Sequence, residues 1–426
     1  MKILVVSNLF PPCQEGGYEV QCAQMVRQLR MRGHSVHVLT AAPAIPLVAA
    51  DPIDSDVTRT MQSSHYLRRR RMMHAGQLTQ VLAEVATNFV CPENVYSLLR
   101  EIDELEPDVA YLWNLVGLGG LGLVSGLAYR GLPWVWHLED AVPRFLCQLR
   151  GRLLPHLVQV SQPVMRGTWL VCSTRLVAEI ERAGPRLDGK VDFIPAWIDE
   201  PRLPPVASPH VPGEPLRVVY SGVMATFKGT EILLDALGQL HAEGHRVTLD
   251  LIGPVQEPRL QDVVNAASLH EAVTFHGPLP HDAVLQMLPR SHVFAFPTHE
   301  REPFGVAPLE AAARGVVPVL SESCGISEWL VDRLHCLKAP RSPDQFANVL
   351  RQIMTGEIDL TPIARRARVA ALRDFSIARW VPKVEQALAD AAGTSAGLSG
   401  RTASGHRAAL MFEQIVNVTL EEMMAA

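Results

Sequence analysis

Apolar residues follow two periods in this chain, and the two alternate. A short apolar run, "KILVVSN", opens the sequence. After it comes "YEVQCAQMVRQLRMRGH", where Val20, Ala23, Met25, Val26 and Leu29 recur at helical spacing until Gly33 stops the helix. "SVHVLTA" then reads as a second strand, so the first stretch predicts a β-α-β unit with a parallel pair. Further strands are predicted at "DVAYLWN", "WVWHL", "TWLVCS" and "VDFIPA". The rhythm breaks in "DEPRLPPVASPHVPGEPL", residues 199–216, whose six prolines and lack of period predict a linker. It then resumes with "LRVVYSGV", the helix "TEILLDALGQLHAEG", and strands in "VTLDLIG", "VTFHG", "VFAFPT" and "VVPVLS".

This pattern predicts an α/β protein with two Rossmann-like, doubly wound domains. The expected boundaries are 1–200 for the first domain, 201–215 for the Pro-rich linker and 216–375 for the second domain. A helix over 376–393 is expected to cross back to the first domain. A tail over 394–426 ends in an amphipathic piece, "AALMFEQIVNVTLEEMMA".

Composition narrows the class without naming it. The 426 residues suffice for two sizeable cores, and 48% hydrophobic with 19% charged residues is the balance of a soluble globular chain. A formal charge of -5 gives no global reason to expect nucleic-acid binding. The seven cysteines lack C-x-x-C and metal-ligand spacing, which predicts reduced thiols in a cytoplasmic protein. "MKILVVSN" is too short an apolar run for a signal-peptide core and reads as a buried strand. The uncharged run Val109 to Tyr129 is long enough to span a bilayer, but its five glycines favour a strand–turn–helix.

Ligands in doubly wound sheets sit outside the carboxyl ends of strands, so the loops there hold the candidate chemistry. In "EREPFGVAPLE", Glu302 and Glu310 flank Phe304-Gly305-Val306, and Pro308 marks the first turn of a helix that carries Glu310. Amides around Gly305 to Ala307 would point out of the helix start, and an acidic first turn is also a common structural feature. Glu300 falls outside this spacing and reads as solvated. "YSGVMATFKGTE" ends a strand at Ser221-Gly222 and places Lys228 before a helix, a natural partner for phosphate. In "PPCQEGGYE", Gly16 and Gly17 permit close backbone approach. "VWHLEDAVP" delivers His137 to a strand end, where it can donate to a ligand, exchange protons near neutrality, or serve only as hydrogen-bonded structure. "GLGGLG", residues 117–122, fits the dinucleotide pattern G-x-G-x-x-G, with Glu139 near the acidic position; this is an alternative reading as an NAD-dependent oxidoreductase.

Taken in this order across two α/β domains, these sites resemble a GT-B glycosyltransferase of the large retaining family four. The resemblance covers roughly residues 1–390. Its most specific part is the E-x7-E pattern met by Glu302 and Glu310. A "GG-x-x-E" stretch is partly kept in "CGISE", where Cys324 stands for the first glycine. The resemblance implies two domains facing across a cleft and transfer from a nucleotide-sugar donor, UDP-sugar first and GDP-mannose next, with retention and without a metal or cofactor. It implies that Glu302 accepts from sugar hydroxyls and Glu310 holds the ribose. Amides near Phe304, Gly305 and Val306 would meet the sugar and diphosphate. Lys228, beside Gly222, would neutralise the diphosphate, Gly16 and Gly17 would close over it, and His137 would lie beside the transferred sugar.

One departure stands out. The family pattern G-R-L-x-x-x-K-G is here Gly222-Val223-Met224 with Lys228-Gly229, so the diphosphate arginine is Val223. Arg301 and Arg144 are the candidate substitutes, and a sugar-nucleotide-binding scaffold with weakened turnover is the alternative. The expected acceptor is a glycan, lipid-linked sugar or small metabolite. Two basic–apolar stretches, Arg68 to Arg71 and 144–160, are candidates for peripheral contact with an anionic membrane face, or else solvated faces.

Overall fold

The computed structural model describes residues 1–13, 16–43, 54–63, 77–149, 151–200, 204–257, 259–266, 269–299 and 301–395. The Arg68 to Arg71 stretch, Glu300 and the tail beyond 395 lie outside the described residues, as does Arg150 of the second basic stretch. The chain divides into two compact units. One comprises Met1–Cys172, Leu176–Ile194 and Trp380–Ala426; the other comprises Ser173–Arg175 and Pro195–Arg379.

The first unit is built on β1 (Lys2–Ser7), α1 (Gly17–Met31), β2 (Ser35–Ala41), β3 (Val57–Met61), α2 (Gln77–Asn88), α3 (Pro92–Leu105), β4 (Val109–Leu112), α4 (Gly120–Arg130), β5 (Trp134–Leu138), β6 (Arg166–Val171), α5 (Thr174–Arg182) and β7 (Asp188–Phe193). Its seven strands run in the order β3-β2-β1-β4-β5-β6-β7, every pairing parallel. Strands covered on both faces need apolar side chains at successive positions, and β4 and β5 are buried throughout. Trp136 stacks on Trp169 at 5.3 Å and gives its indole N–H to Trp113 O at 2.7 Å, which satisfies a polar edge inside the core.

The second unit repeats the plan with β8 (Leu216–Ser221), α6 (Thr230–Ala242), β9 (Val247–Ile252), α7 (Arg259–Ala266), β10 (Val273–Gly277), α8 (His281–Met287), β11 (Val293–Phe296), α9 (Ala307–Ala313), β12 (Val317–Ser321), β13 (Leu337–Ala339), α10 (Pro343–Met354) and α11 (Leu360–Asp374). Its strands run β10-β9-β8-β11-β12-β13, again all parallel. Both sheets therefore reverse their strand order between the first and fourth strands of the unit, which makes the loops after β1 and β4, and after β8 and β11, neighbours in space.

The described residues 204–215 of the proline-rich stretch form neither helix nor strand, as the composition predicts, yet this part of the chain is tied down. Ala207 N–H donates to Arg314 O at 2.8 Å, Arg368 donates to Pro204 O at 3.0 Å, and Arg314 pairs with Glu200 at 2.7 Å. The last described helix, α12 (Ile377–Ser395), changes unit at Trp380. Beyond that point Glu385 binds Arg32 at 2.6 Å and His34 at 2.7 Å within the first unit.

The run Val109 to Tyr129 is a buried strand, a glycine turn and most of the eleven-residue α4; no described helix is long and apolar enough to cross a membrane. The glycines of "GLGGLG" have a packing role. A Cβ on Gly119 would lie 2.2 Å from Cys91 N, and one on Gly120 would lie 2.8 Å from Leu146. Close approach of neighbouring chain therefore accounts for these glycines without a dinucleotide.

Candidate functional site

At the reversal point of the second sheet, β8 ends and Gly222 follows with φ 151°, a conformation that strains any side chain. The chain then turns through Thr226–Lys228 into Gly229, at φ 80°. A Cβ on Gly229 would lie 2.1 Å from Pro297 O, so only glycine lets this turn rest on the end of β11. That contact carries Lys228 to the loop after β11, where Nζ pairs with Glu302 Oε2. Thr298 Oγ1 also donates to this oxygen, at 3.3 Å. The two residues assigned to donor sugar and diphosphate are thus brought together by topology.

The loop holding Glu302 is braced from beneath by "CGISE". Gly325 N–H donates to Glu302 O at 2.9 Å and Ile326 N–H to Phe304 O at 3.2 Å. A Cβ on Gly325 would lie 1.7 Å from Pro303 O, which accounts for the second glycine of the pattern. The first is not demanded by the backbone: Cys324 sits at φ -83°, ψ 157°, and its thiol donates to Ser321 O at 3.2 Å. Gly305 has φ 97° and lies against the Phe296 ring. The Phe304 side chain is 3% exposed and packs toward Phe375, ring centroids 6.3 Å apart, so only its backbone is available to a ligand.

Val306 is the N-cap of α9, its carbonyl accepting from Leu309 and Glu310 N–H at 2.8 and 3.2 Å. Pro308 and Glu310 occupy the first turn, as their order in the sequence predicts. Glu310 Oε1 lies 2.7 Å from Nε2 of His281, a partner sequence reasoning missed. Its hydrogen bond raises the His281 pKa above the ordinary value, against the opposing effect of burial. Arg341 was also missed: its guanidinium bonds Pro297 O at 3.1 Å and Thr226 O at 2.9 Å, tying the Lys228 turn to the end of β11. Neither residue falls in a motif, and the only signal was position, His281 at a helix start and Arg341 just after a short strand.

In the first unit, Gly16 N–H donates to Glu19 Oε2 at 2.9 Å at the start of α1, and a Cβ on Gly17 would meet nothing within 4 Å. His137, on β5, is fully buried. Its ring stacks on Trp113 at 4.4 Å, its Nδ1 lies 2.8 Å from the Tyr111 hydroxyl, and its carbonyl accepts from Tyr18 O–H at 2.5 Å. Burial pulls its pKa down to about 3. This corrects the expectation of proton exchange near neutrality: His137 is a neutral imidazole, a hydrogen-bonding and packing group. Of the two candidate substitutes for the missing arginine, Arg144 is committed to Glu179 at 2.5 Å in this unit. Arg301 is exposed in the Glu302 loop, its backbone N–H on His299 Nδ1 at 2.9 Å. Among the described residues no group of three or more His, Cys, Asp or Glu could hold a metal ion.

Residues 207–370, which contain every second-unit residue of this site, match the sequence profile of the glycosyl transferases group 1 family. Glycogen synthase from Mycobacterium tuberculosis is 28% identical over 396 residues, 89% of this chain and 92% of that protein. The second unit of the chain is thus similar to the glycosyl transferases group 1 family. The chain's GT-B fold is shared with sucrose-phosphate synthase from Thermosynechococcus elongatus, at a TM-score of 0.68 and 18% identity, over 90% of this chain and 97% of that one. HepE from Anabaena, solved in complex with UDP-glucose, is similar at a TM-score of 0.64 and 18% identity, over 92% of this chain and all of that one. The Lys228–Glu302 pair lies where a doubly wound sheet receives its ligand.

Proposed function

We propose that the donor is a UDP-sugar, with UDP-glucose the first to try and GDP-mannose the next. We also propose that the anomeric configuration is retained and that the acceptor is a glycan, a lipid-linked sugar or a small metabolite. The observation that carries the reading is the meeting of Lys228 and Glu302 at the reversal point of the second sheet, one turn of chain before Glu310. The complex of HepE with UDP-glucose supports the choice of donor.

In this reading Glu302 accepts hydroxyls of the transferred sugar, and Glu310 takes the ribose. Backbone N–H groups of Phe304, Gly305 and Val306 meet the sugar and diphosphate, beside Gly222. As the glycosidic bond breaks, negative charge grows on the diphosphate and positive charge on the anomeric carbon. Lys228, released from Glu302 as the donor binds, stabilises the first. Gly16, Gly17 and His137 are assigned to the same donor from the first unit, His137 as a neutral hydrogen-bonding group. No covalent nucleophile is assigned.

Val223 supports a second reading, a sugar-nucleotide-binding protein with weakened turnover, because one multiply bonding cation of the family pattern is absent. A single experiment separates the two. Hydrolysis of UDP-, GDP- and ADP-sugars is followed for the wild type, Glu302→Ala and Lys228→Ala, with NMR of the released sugar's anomer. Slow hydrolysis of one donor, abolished by both substitutions and giving the retained anomer first, supports the enzyme reading. Tight donor binding without turnover supports the scaffold.

A further inference from the structure

Glu310 reaches from the first turn of α9 to the first residue of α8, where Oε1 meets Nε2 of His281 at 2.7 Å. His281 is largely exposed, while Glu310 is mostly covered. Arg314, one turn further along α9, is occupied elsewhere. It donates to Glu310 O at 3.0 Å, to Leu285 O of α8 at 3.0 Å, and to Glu200 at 2.7 Å. Arg314 therefore fixes α9 against α8, and within that frame His281 is what orients the Glu310 carboxylate. A carboxylate has two oxygens and about four acceptor sites. With Oε1 on the imidazole, Oε2 is left for a diol.

We propose that His281 is a positioning residue for Glu310: it holds the carboxylate in the rotamer that receives the ribose of the donor, and holds it more tightly when the imidazole is protonated. The proposal rests on the reading of Glu310 as the ribose acceptor. The charged groups facing His281 are Glu310 and Arg314 on α9 and its neighbour Asp282 on α8. The Glu310 hydrogen bond dominates, so the imidazole keeps its charge to higher pH than an ordinary histidine. Raising the pH removes the charge assistance, yet the neutral tautomer with its proton on Nε2 still donates. The grip on the donor weakens by about threefold to tenfold without vanishing.

The test is calorimetric titration of UDP into the full chain from about pH 6 to about pH 9, across the histidine range. UDP titrates its own phosphate there, so the quantity compared is the ratio of variant to wild-type affinity at each pH. His281→Ala is expected to bind about tenfold more weakly at the acid end, with the ratio closing toward the alkaline end. His281→Gln, a neutral donor, falls between the two at acid pH. In donor kinetics the loss appears in KM. If His281→Ala matches the wild type while Glu310→Ala loses UDP, the positioning role is refuted and the ribose reading stands. If Glu310→Ala binds UDP as the wild type does, the ribose reading falls and the proposal with it.

Discussion

Replacing Gly325 with alanine tests whether the brace under the Glu302 loop controls the site. The added Cβ would lie 1.7 Å from Pro303 O, 2.3 Å from Pro303 C and 2.9 Å from Phe304 N, where ordinary contact begins at 3.4 Å. All three are backbone atoms, so no side-chain rotation relieves the clash and the two segments must separate by about 1.5 Å. That movement breaks the bonds from Gly325 N–H to Glu302 O and from Ile326 N–H to Phe304 O. At about 1 kcal/mol net each, plus residual strain, the stability loss is about 2 to 3 kcal/mol. Glu302 moves with its backbone, and a displacement near 1 Å costs about 100-fold in rate. Donor hydrolysis gives kcat/KM, and urea unfolding gives stability. Cys324→Gly is the contrast: its backbone conformation suits any residue, so it keeps activity within about threefold despite the lost thiol contact. A Gly325→Ala variant with wild-type kcat/KM would refute the brace.

Three further outcomes follow from the same geometry. Lys228→Ala lowers kcat/KM by about 100- to 1,000-fold. Its partly exposed pair with Glu302 contributes at most about 1 kcal/mol to stability, so the urea midpoint hardly moves. Val223→Arg restores the missing cation and raises kcat/KM by about tenfold or more, measured by donor hydrolysis; unchanged turnover would show that the substitution is not what limits the enzyme. Burial holds His137 at a pKa of about 3 and His292 at about 4, both below the ordinary 6.5. Between those values and 6.5 the unfolded chain binds more protons than the folded one. Their contribution is complete above pH 6.5 and is lost as pH falls, at about 1.4 kcal/mol per pH unit for each histidine. Urea midpoints across that window check the slope, and His137→Phe should flatten it.

The alternation of apolar periods was enough to read the inner strands of both sheets, because parallel strands buried on two faces demand runs such as "KILVVS" and "LRVVYS"; it missed two edge strands, the little-buried β3 and the three-residue β13. Strand order then followed the rule for doubly wound units and placed Lys228 beside Glu302 although 74 residues separate them. Less legible were contacts that no local pattern encodes. His281 is one histidine among sixteen, and only the packing of α8 on α9 gives it Glu310. Arg341 acts through carbonyls, which have no sequence signature. "GLGGLG" is ambiguous for a related reason: glycine is required wherever backbones approach closely, and here the close neighbours are Cys91 and Leu146. The role of His137 was legible only in part, since strand-end position says nothing of the Trp113 and Tyr111 rings that bury it.

Glu302 and Glu310 each have a basic partner, Lys228 for Glu302 and His281 for Glu310. The pairings differ in a way that matters for a ligand. Lys228 and Glu302 bind each other directly, so a donor carrying both diphosphate and sugar hydroxyls offers each a replacement partner and can separate them at little net cost. His281 and Glu310 have no such exchange, because a ribose diol is an uncharged donor that adds to the carboxylate without satisfying the imidazolium. The first pair is therefore expected to open on binding and the second to persist. Comparing the Lys228 and His281 side chains by NMR with and without UDP would show this: a large shift at Lys228 Nζ, and a His281 titration that keeps its raised midpoint. A His281 midpoint falling to the ordinary value with UDP bound would mean that the ribose displaces it, and the two ends of the loop would then work by the same exchange.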